Sequence, residues 1–348
     1  MGGGGTPARL LLAFAVMAEG DTTIDGNARL RERPMGDLLD AFARMGVRYE
    51  CLERPGCLPV RVTGGLIQAR DWSVNGNTSS QFLTALLLLA AQQQAPVSIT
   101  VEGELVSKSY VQMTLKIMQD CGIQVDHTEL RKFVVHPSEP VKQRIDIEVD
   151  ASAMSYFVAA AALTGTTVVI PGISQESRQG DAGFAGLVEQ MGAEVSWKQD
   201  SLQIRGRGIQ GIEADMDDMP DTVLTLAVIA SQGRGTTRVS KIANLKVKEC
   251  DRIHAIASEL TRLGVTAEGD DDSVTVRAGA LVQPALVHTY KDHRVAMAFG
   301  LLGLIHDGIQ IQDPACVEKS FPAYWDELAR FVAHHHDEAL APSGHGRV

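Results

Sequence analysis

Charged residues crowd one short segment, residues 244 to 252. The run Asn-Leu-Lys-Val-Lys-Glu-Cys-Asp-Arg contains Lys246, Lys248, Glu249, Asp251 and Arg252. Apolar residues at helical spacing follow at once, so the charges lie at a predicted helix N-terminus. The helix dipole favours the two acidic residues there, but it does not favour Lys248 or Arg252. The segment therefore predicts a binding site for a small anion.

A repeated helix ending indicates how such segments are arranged. Gly46, Gly122, Gly192 and Gly264 each follow an amphipathic helix, at intervals of 76, 70 and 72 residues. Glycine just past a helix is a C-cap signal, and two short alternating segments around a polar turn follow each one. The predicted unit is helix, strand, turn, strand, with a further helix and strand between units. The fold class is therefore α/β and built from repeats.

Basic residues stand at several predicted helix starts. Arg33, Arg252, Arg294 and Lys319 occupy such positions in four different units. Arginine binds a carboxylate or phosphate through two parallel N–H groups, which lysine does not. If the units are pseudo-symmetric, these helix starts converge on one side of the molecule and form a strong anion site.

Hydroxyl groups precede two other helices. Ser79, Ser80 and Gln81 come before an apolar helix predicted over residues 82 to 91, and Ser107 stands at the start of the next helix. Their hydroxyls and the free N–H groups of the first turn could hold a phosphate. Simple helix capping explains the same pattern equally well.

Three residues could transfer protons. Asp221 is either a helix cap or an acid–base group, while Glu249 stands among cations and could exchange a proton as a bound anion changes charge. A structural salt-bridge network is the alternative for Glu249. His293, next to Arg294, is either a proton carrier or an ordinary hydrogen-bonded histidine.

The composition argues against several classes of partner. The net charge is −11 and the isoelectric point about 5.4, whereas binding to nucleic acid or an anionic membrane needs a basic face. Five cysteines form no CxxC pair, so we expect free thiols, no metal site and a cytoplasmic location. No run of about 18 apolar residues predicts a membrane span.

The chain divides into two predicted domains. We expect an N-terminal domain over residues 1–149, a C-terminal domain over 150–332 and a flexible tail over 333–348. The first boundary follows a hydrophilic, strand-like run at residues 144–150, which leads into a helix rich in Ala and Ser. The tail offers little to bury.

Several motifs together resemble those of 5-enolpyruvylshikimate-3-phosphate (EPSP) synthases. They cover nearly the whole chain in that family's order: Gly5-Thr6 to Arg9, Arg31-Glu-Arg33-Pro34, Ser79 to Thr84, Val106-Ser-Lys108 to Tyr110, Pro220-Asp221, Val247 to Arg252, Asp292-His-Arg294 and Lys319-Ser-Phe-Pro322. The resemblance implies a two-domain fold of repeated βαβαββ units that closes on its ligands. It also implies an enolpyruvyl transferase of the shikimate pathway, which serves aromatic amino-acid biosynthesis.

The resemblance further implies two substrate sites and no cofactor or metal. Shikimate-3-phosphate would contact Ser79, Ser80, Gln81, Ser107, Asp221, Asn244 and Lys248. Phosphoenolpyruvate would contact Gly5, Arg33, Gln81, Arg252, Arg294 and Lys319, and glyphosate would be an inhibitor. The catalytic residues would be Asp221, Glu249, Lys319 and His293. Asp221 would accept the proton of the attacking 5-hydroxyl, and Glu249 and Lys319 would transfer protons at the enolpyruvyl carbon and the leaving phosphate.

Three further expectations accompany the resemblance. The motifs begin inside the family's first domain, so we expect the N-terminal domain to lack a segment of about one repeat unit, with a separate fragment as a partner of an otherwise monomeric chain. The alternative is a weakly active or inactive remnant that binds anions. A sister enzyme acting on UDP-N-acetylglucosamine has a cysteine in the loop where this chain has none between Gly5 and Arg9.

Overall fold

Two hydrophobic cores organise the protein. The computed structural model describes residues 1–141, 144–279 and 282–340. One core draws its buried side chains from residues 8–135 and the other from residues 151–328. We refer to the parts of the chain around these cores as the first and second lobes. The domain boundary between residues 149 and 150 stays a prediction.

Helices and short strands are interspersed along the described chain. The helices are α1 (Gly5–Ala15), α2 (Ala28–Glu32), α3 (Gly36–Arg44), α4 (Ser80–Ala90), α5 (Lys108–Asp120), α6 (Ala151–Thr164), α7 (Phe184–Gln190), α8 (Val223–Ser231), α9 (Arg252–Arg262), α10 (His293–Gly300) and α11 (Tyr324–Leu340). The strands of the first lobe are β1 (Asp21–Ile24), β2 (Arg48–Cys51), β3 (Val60–Thr63), β4 (Asp71–Asn75), β5 (Val97–Glu102), β6 (Val125–Thr128) and β7 (Lys132–Val135). Those of the second lobe are β8 (Thr167–Pro171), β9 (Glu194–Lys198), β10 (Ser201–Arg205), β11 (Glu213–Asp215), β12 (Thr236–Ser240), β13 (Thr266–Gly269), β14 (Ser273–Arg277), β15 (Ala285–Val287) and β16 (Ile309–Ile311).

Two stretches have the same βαβαββ order and the same sheet. Residues 71–135 form a sheet in the order β4-β5-β7-β6, and residues 213–277 form one in the order β11-β12-β14-β13. In each sheet the first two strands are parallel and the other pairs are antiparallel. The α/β fold of repeated βαβαββ units is therefore confirmed.

The four repeated glycines end helices as predicted. Gly46, Gly122, Gly192 and Gly264 follow α3, α5, α7 and α9, and their φ angles are +80°, +78°, +118° and +86°. This left-handed region favours glycine because a side chain at Cβ would clash with the backbone. Each glycine turns the chain from a helix into an antiparallel pair of strands: β2 and β3, β6 and β7, β9 and β10, or β13 and β14.

Three apolar helices are central to the lobes. All nine residues of α8 are buried, and most of α4 and α6 is buried as well. The helix α8 contacts α6, α9 and α10, while α4 contacts α1 and α5. Helices that are apolar on all sides must be enclosed by neighbours, and these contacts enclose α4 and α8.

One segment differs from the sequence prediction. The strand-like run at residues 144–150 forms no strand in the described chain, because Ile147 is 89% exposed and the run has no buried face. The flexible tail expected over residues 333–348 stays a prediction, and α11 extends into this range as far as Leu340. Residues 341–348 lie outside the described residues.

Three general features complete the fold. Within the described residues, no helix combines the length and apolar character needed to cross a membrane. The same part of the chain contains no group of three or more His, Cys, Asp or Glu residues that could hold a metal ion. All five cysteines are free thiols.

Candidate active site

Helix starts from both lobes meet at a cleft between the two cores. Gly5 begins α1 and Ser80 begins α4 in the first lobe, while Arg252 begins α9 and His293 begins α10 in the second. All four residues line cavities in this cleft. Helix N-termini carry free N–H groups and a partial positive charge, so the cleft attracts anions.

Two adjacent cavities occupy the cleft. The first cavity, of about 280 Å³, is lined by all seven residues predicted for shikimate-3-phosphate: Ser79, Ser80, Gln81, Ser107, Asp221, Asn244 and Lys248. The second cavity, of about 420 Å³, is lined by all six predicted for phosphoenolpyruvate: Gly5, Arg33, Gln81, Arg252, Arg294 and Lys319. Glu249 and His293 also line the second cavity. The two cavities share Thr6, Arg33, Gln81, Asp221 and Lys248, so they meet at these side chains.

Hydrogen bonds fix the polar wall of the first cavity. Ser79 caps α4 by accepting from the Gln81 backbone N–H at 3.3 Å, and it also accepts from Arg9 Nη1 at 3.1 Å. Arg9 Nη1 donates to Gln81 Oε1 at 2.9 Å. From the second lobe, Asn244 Nδ2 donates to Ser107 Oγ at 3.0 Å. Capping and cavity lining therefore occur together at Ser79.

Arg252 is at the centre of the ionic network beneath the second cavity. Its guanidinium is 1% exposed and contacts Asp221 at 3.0 Å, Glu249 at 3.0 Å and Asp292 at 2.9 Å. Arg294 contacts the other oxygen of Asp221 at 2.9 Å. Asp221 lies in a short 3-10 turn, and α8 has no side-chain cap, so Asp221 is a partner of cations rather than a helix cap.

Residues of the first lobe hold Glu249 from the opposite side. Arg33 Nη1 lies 3.4 Å from Glu249 Oε1, which also contacts the Lys319 ammonium of the second lobe. Arg29 donates to the backbone carbonyls of Lys248 and Glu249 at 2.8 Å and 2.7 Å. The salt-bridge network predicted as one alternative for Glu249 is present, and it forms part of the cavity wall.

The surrounding cations keep both carboxylates ionised. Burial by itself would raise the pKa of Asp221, but Arg294, Lys248 and Arg252 outweigh it and hold that pKa well below its usual value. Burial also opposes the ionisation of Glu249, yet Arg252, Arg33 and Lys319 hold its pKa far below the ordinary range. Neither carboxyl carries a proton at neutral pH in this arrangement.

Burial has the opposite effect on the cations and on His293. It lowers the pKa of Lys248 and of Arg33, because a buried positive charge loses its hydration. Burial lowers the pKa of His293 to about 3, against the opposing charge of Asp292. The imidazole is therefore neutral at physiological pH.

Unpartnered polar atoms mark the cleft as a ligand site. Four of the six buried side-chain atoms without a hydrogen-bond partner in the described residues are Arg9 Nε, Arg33 Nε, Asn244 Oδ1 and His293 Nδ1. Buried polar atoms in folded proteins almost always have partners. All four belong to residues that line the two cavities, so groups on a bound ligand could serve as their partners.

The sequence interpretation did not assign site roles to three residues that organise the cleft. Arg9 is buried between Ser79 and Gln81 and lies 4.7 Å above the Phe82 ring. Asp292 is fully buried and caps α10 while it pairs with Arg252. Arg29 donates to the backbone carbonyls of Lys248 and Glu249, which lie 219 and 220 positions later in the chain. An arginine inside an apolar helix was the available signal for Arg9, whereas no local pattern indicates the partner of Arg29.

Comparison with solved structures identifies the fold as that of an enolpyruvyl transferase. EPSP synthase from Acinetobacter baumannii matches with a TM-score of 0.78 and 24% identity, over 94% of this chain and 77% of that one. The enolpyruvyl transferase NikO from Streptomyces tendae matches with a TM-score of 0.70 and 17% identity, over 92% and 74%. At these identities the likeness concerns the fold alone.

Sequence relatives define the family more closely. Residues 1–328 match the family EPSP synthase (3-phosphoshikimate 1-carboxyvinyltransferase). The 3-phosphoshikimate 1-carboxyvinyltransferase of Shewanella denitrificans is 38% identical over 334 residues, and that of Klebsiella pneumoniae is 39% identical over 332. Each alignment covers 95% of this chain and 78% of the relative. The chain belongs to the EPSP synthase family.

The expected absence of an N-terminal segment is not supported by these comparisons. They align 95% of this chain with 78% of each relative. The family assignment therefore stands without that expectation.

Proposed function

We propose that this protein transfers the enolpyruvyl group of phosphoenolpyruvate to the 5-hydroxyl of shikimate-3-phosphate, which yields 5-enolpyruvylshikimate-3-phosphate and phosphate. Family membership supports the reaction. The assignment of the site rests on two adjacent cavities that meet at Asp221. A transfer between two anions needs two such sites with a proton acceptor at their junction.

The charge of the second cavity suits a small dianionic or trianionic substrate. In the described chain, five cationic side chains line it, from Arg33, Lys248, Arg252, Arg294 and Lys319, against two carboxylates. Guanidinium groups on several sides can bind the carboxylate and the phosphate of phosphoenolpyruvate at once. The first cavity offers serine hydroxyls, two amides, two arginines and one lysine, which suit a phosphorylated sugar acid.

The first chemical step is an addition. The 5-hydroxyl oxygen forms a bond to C2 of phosphoenolpyruvate, and its proton passes to Asp221. A second proton, delivered from Glu249, adds to C3 and converts the vinyl carbon into a methyl group. The product of this step is a tetrahedral intermediate in which C2 carries both the ether oxygen and the phosphate.

The second step is an elimination. Glu249 takes a proton back from C3, the bond between C2 and the phosphate oxygen breaks, and the C2–C3 double bond re-forms. Lys319 donates a proton to the departing phosphate. The contact between Lys319 and Glu249 joins the two groups that handle protons in this step.

Anion binding would tune Glu249 for both steps. Its pKa is held down by Arg252, Arg33 and Lys319, which outweigh the effect of burial. A phosphate or carboxylate bound beside these cations offsets their charge, so it raises the pKa of Glu249 and allows the carboxyl to carry a proton. Neutral His293, with its low pKa, then contributes a hydrogen-bonding imidazole rather than a second cation.

The experiment measures phosphate release and product by the purified chain alone. With both substrates present, we expect stoichiometric phosphate and a vinyl ether product detectable by proton NMR, and no release when either substrate is omitted. A chain that binds both anions without releasing phosphate would instead be the non-catalytic remnant, and the proposed activity would be refuted.

Two lysine variants test the separate use of the cavities. Lys248→Met, at the junction of the cavities, should raise KM for shikimate-3-phosphate more than KM for phosphoenolpyruvate, and Lys319→Met should raise KM for phosphoenolpyruvate alone and lower kcat. Each loses one charge-assisted contact, which corresponds to about 10- to 100-fold. Lys198→Met, on an exposed hairpin, is the matched control and should resemble the parent. Equal effects of both lysine variants on both KM values would contradict the assignment.

A further inference from the structure

Two acidic side chains of the second lobe contact the first turn of a helix in the first lobe. Asp217 Oδ1 accepts from the Ser107 backbone N–H at 3.1 Å. Asp218 Oδ1 accepts from the Ser109 backbone N–H at 3.0 Å, and the Asp218 carbonyl accepts from Ser109 Oγ at 2.6 Å. All three bonds span more than 100 residues of sequence and cross the cleft between the lobes.

The helix that receives these carboxylates has no cap of its own. Ser107 occupies the N-cap position of α5 with φ +53° and ψ +52°, and its side chain makes no capping bond. Its hydroxyl instead accepts from Asn244 of the second lobe. A helix start normally takes its cap from the residue directly before it. In this case the capping acceptors come from the other lobe, where the helix dipole also favours their negative charge.

The lobes touch closely beside these bonds. A Cβ atom on Gly180 would lie 2.5 Å from Ser109 Cβ and 2.6 Å from the Asp218 carbonyl oxygen. Contacts this short do not occur for real Cβ atoms, and the backbone carbonyl has little freedom to move. Only glycine at position 180 permits the approach that brings Asp218 to α5.

The same acidic segment leads directly into the residue at the junction of the two cavities. Asp221 follows Asp218 by three positions, and the Met219 N–H donates to the Met216 carbonyl at 3.2 Å within a tight turn. The Asp217 N–H is held by Asp215 Oδ1 at 3.2 Å. The Thr222 N–H donates to the Met219 carbonyl at 3.1 Å, so we expect a displacement of Asp217 and Asp218 to move Asp221.

We propose that Asp217 and Asp218 are positioning residues, which cap α5 across the cleft and thereby hold the lobes together with Asp221 in place between the two cavities. We call this set of contacts the clasp. Its catalytic consequence rests on the proposed function, whereas its existence as an inter-lobe contact does not. Neither carboxylate lines the second cavity, and neither contacts the cations around Asp221.

Amide hydrogen exchange of the full chain, measured with saturating shikimate-3-phosphate, tests the contact itself. Asp217→Ala should speed exchange at Ser107, and Asp218→Ala at Ser109, by about 2- to 30-fold, the range for loss of a helix cap. Asp218→Asn should stay close to the parent, because asparagine caps helices as well as aspartate does. Asp200→Ala, on an exposed hairpin turn, is the control for loss of one negative charge. Unchanged exchange in both alanine variants would overturn the proposal.

A glycine variant tests the clasp without altering either carboxylate. Gly180→Ala should speed exchange at both serine amides and increase the radius of gyration measured by small-angle scattering. If Gly180→Ala exchanges like the parent, the close approach does not support the clasp and the proposal fails.

Kinetics test the positioning of Asp221. In Asp218→Ala, kcat should fall about 2- to 30-fold, by about the same factor as the protection of the Ser109 amide falls. In Asp218→Asn, kcat should stay close to that of the parent. Faster exchange with kcat and both KM values of the parent would refute the positioning role. A parent chain without transferase activity would refute the proposed function, and the exchange and scattering results would then decide the clasp independently.

Discussion

Replacing Arg252 by methionine should destabilise the protein through the carboxylates that it leaves behind. The guanidinium pairs with Asp221, Glu249 and Asp292 while it is 1% exposed. Methionine fills a similar volume without charge, so the loss of packing is small. Asp221 and Glu249 keep other cations, whereas Asp292 is fully buried and loses its closest cation.

The magnitude follows from that buried partner. Breaking a buried ion pair by removing one member costs about 3 to 5 kcal/mol. Burial opposes the ionisation of Asp292, but Arg252 outweighs it and lowers the pKa of that carboxyl. The stabilisation from this ion pair is present above about pH 4, which is the pKa of an aspartate in the unfolded chain. It is lost as the pH falls further. The difference between Arg252→Met and the parent should therefore shrink below about pH 4.

Urea unfolding at pH 7 and at about pH 3, followed by circular dichroism, measures both effects. Arg330→Met is the matched control. Arg330 pairs with Glu327 at the surface, and 68% of the arginine side chain is exposed. An exposed pair of this kind contributes only about 0 to 1 kcal/mol. A loss for Arg252→Met no larger than that of Arg330→Met, or a loss equal at both pH values, would refute the reasoning.

Two further predictions concern other parts of the cleft. In Gly5→Ala, the new Cβ would lie 2.5 Å from Arg33 Nη1, so displacement of the guanidinium should raise KM for phosphoenolpyruvate about 10- to 100-fold and weaken inhibition by glyphosate. Gly36→Ala is the control, because its Cβ meets nothing within 4 Å. If Gly5→Ala binds phosphoenolpyruvate and glyphosate as the parent does, the prediction is contradicted. Burial and the nearby Asp221 charge raise the pKa of Asp181 to about 6, so its ionisation should reduce stability as the pH rises from about 4 to about 6. Asp181→Asn should therefore gain about 1 to 3 kcal/mol relative to the parent over that range in urea unfolding, and a constant difference would count against it.

The repeat was visible in the sequence because its signals are local. Gly46, Gly122, Gly192 and Gly264 end helices through a backbone conformation that only the neighbouring residues determine. The charged helix starts, such as residues 244–252, are likewise encoded within a few positions. Local patterns of this kind gave the order of elements and most residues that line the cleft.

The inter-lobe contacts lacked any such local signal. Asp217 and Asp218 read as ordinary loop carboxylates, and their partners Ser107 and Ser109 lie more than 100 residues earlier. The buried position of Asp292 likewise depends on tertiary packing around Arg252. The run at residues 144–150 alternates like a strand, but its side chains have no second layer to pack against, so pattern alone predicted it wrongly.

A single-turnover measurement on Asp221→Asn tests the central claim, that the two cavities form one transfer site with Asp221 as the proton acceptor at their junction. Both substrates are mixed with excess enzyme, and vinyl ether formation is followed by rapid quench. We expect the variant to bind phosphoenolpyruvate yet form product about 100- to 10,000-fold more slowly than the parent, the usual contribution of a general base. Product formation at the parent rate would contradict the account.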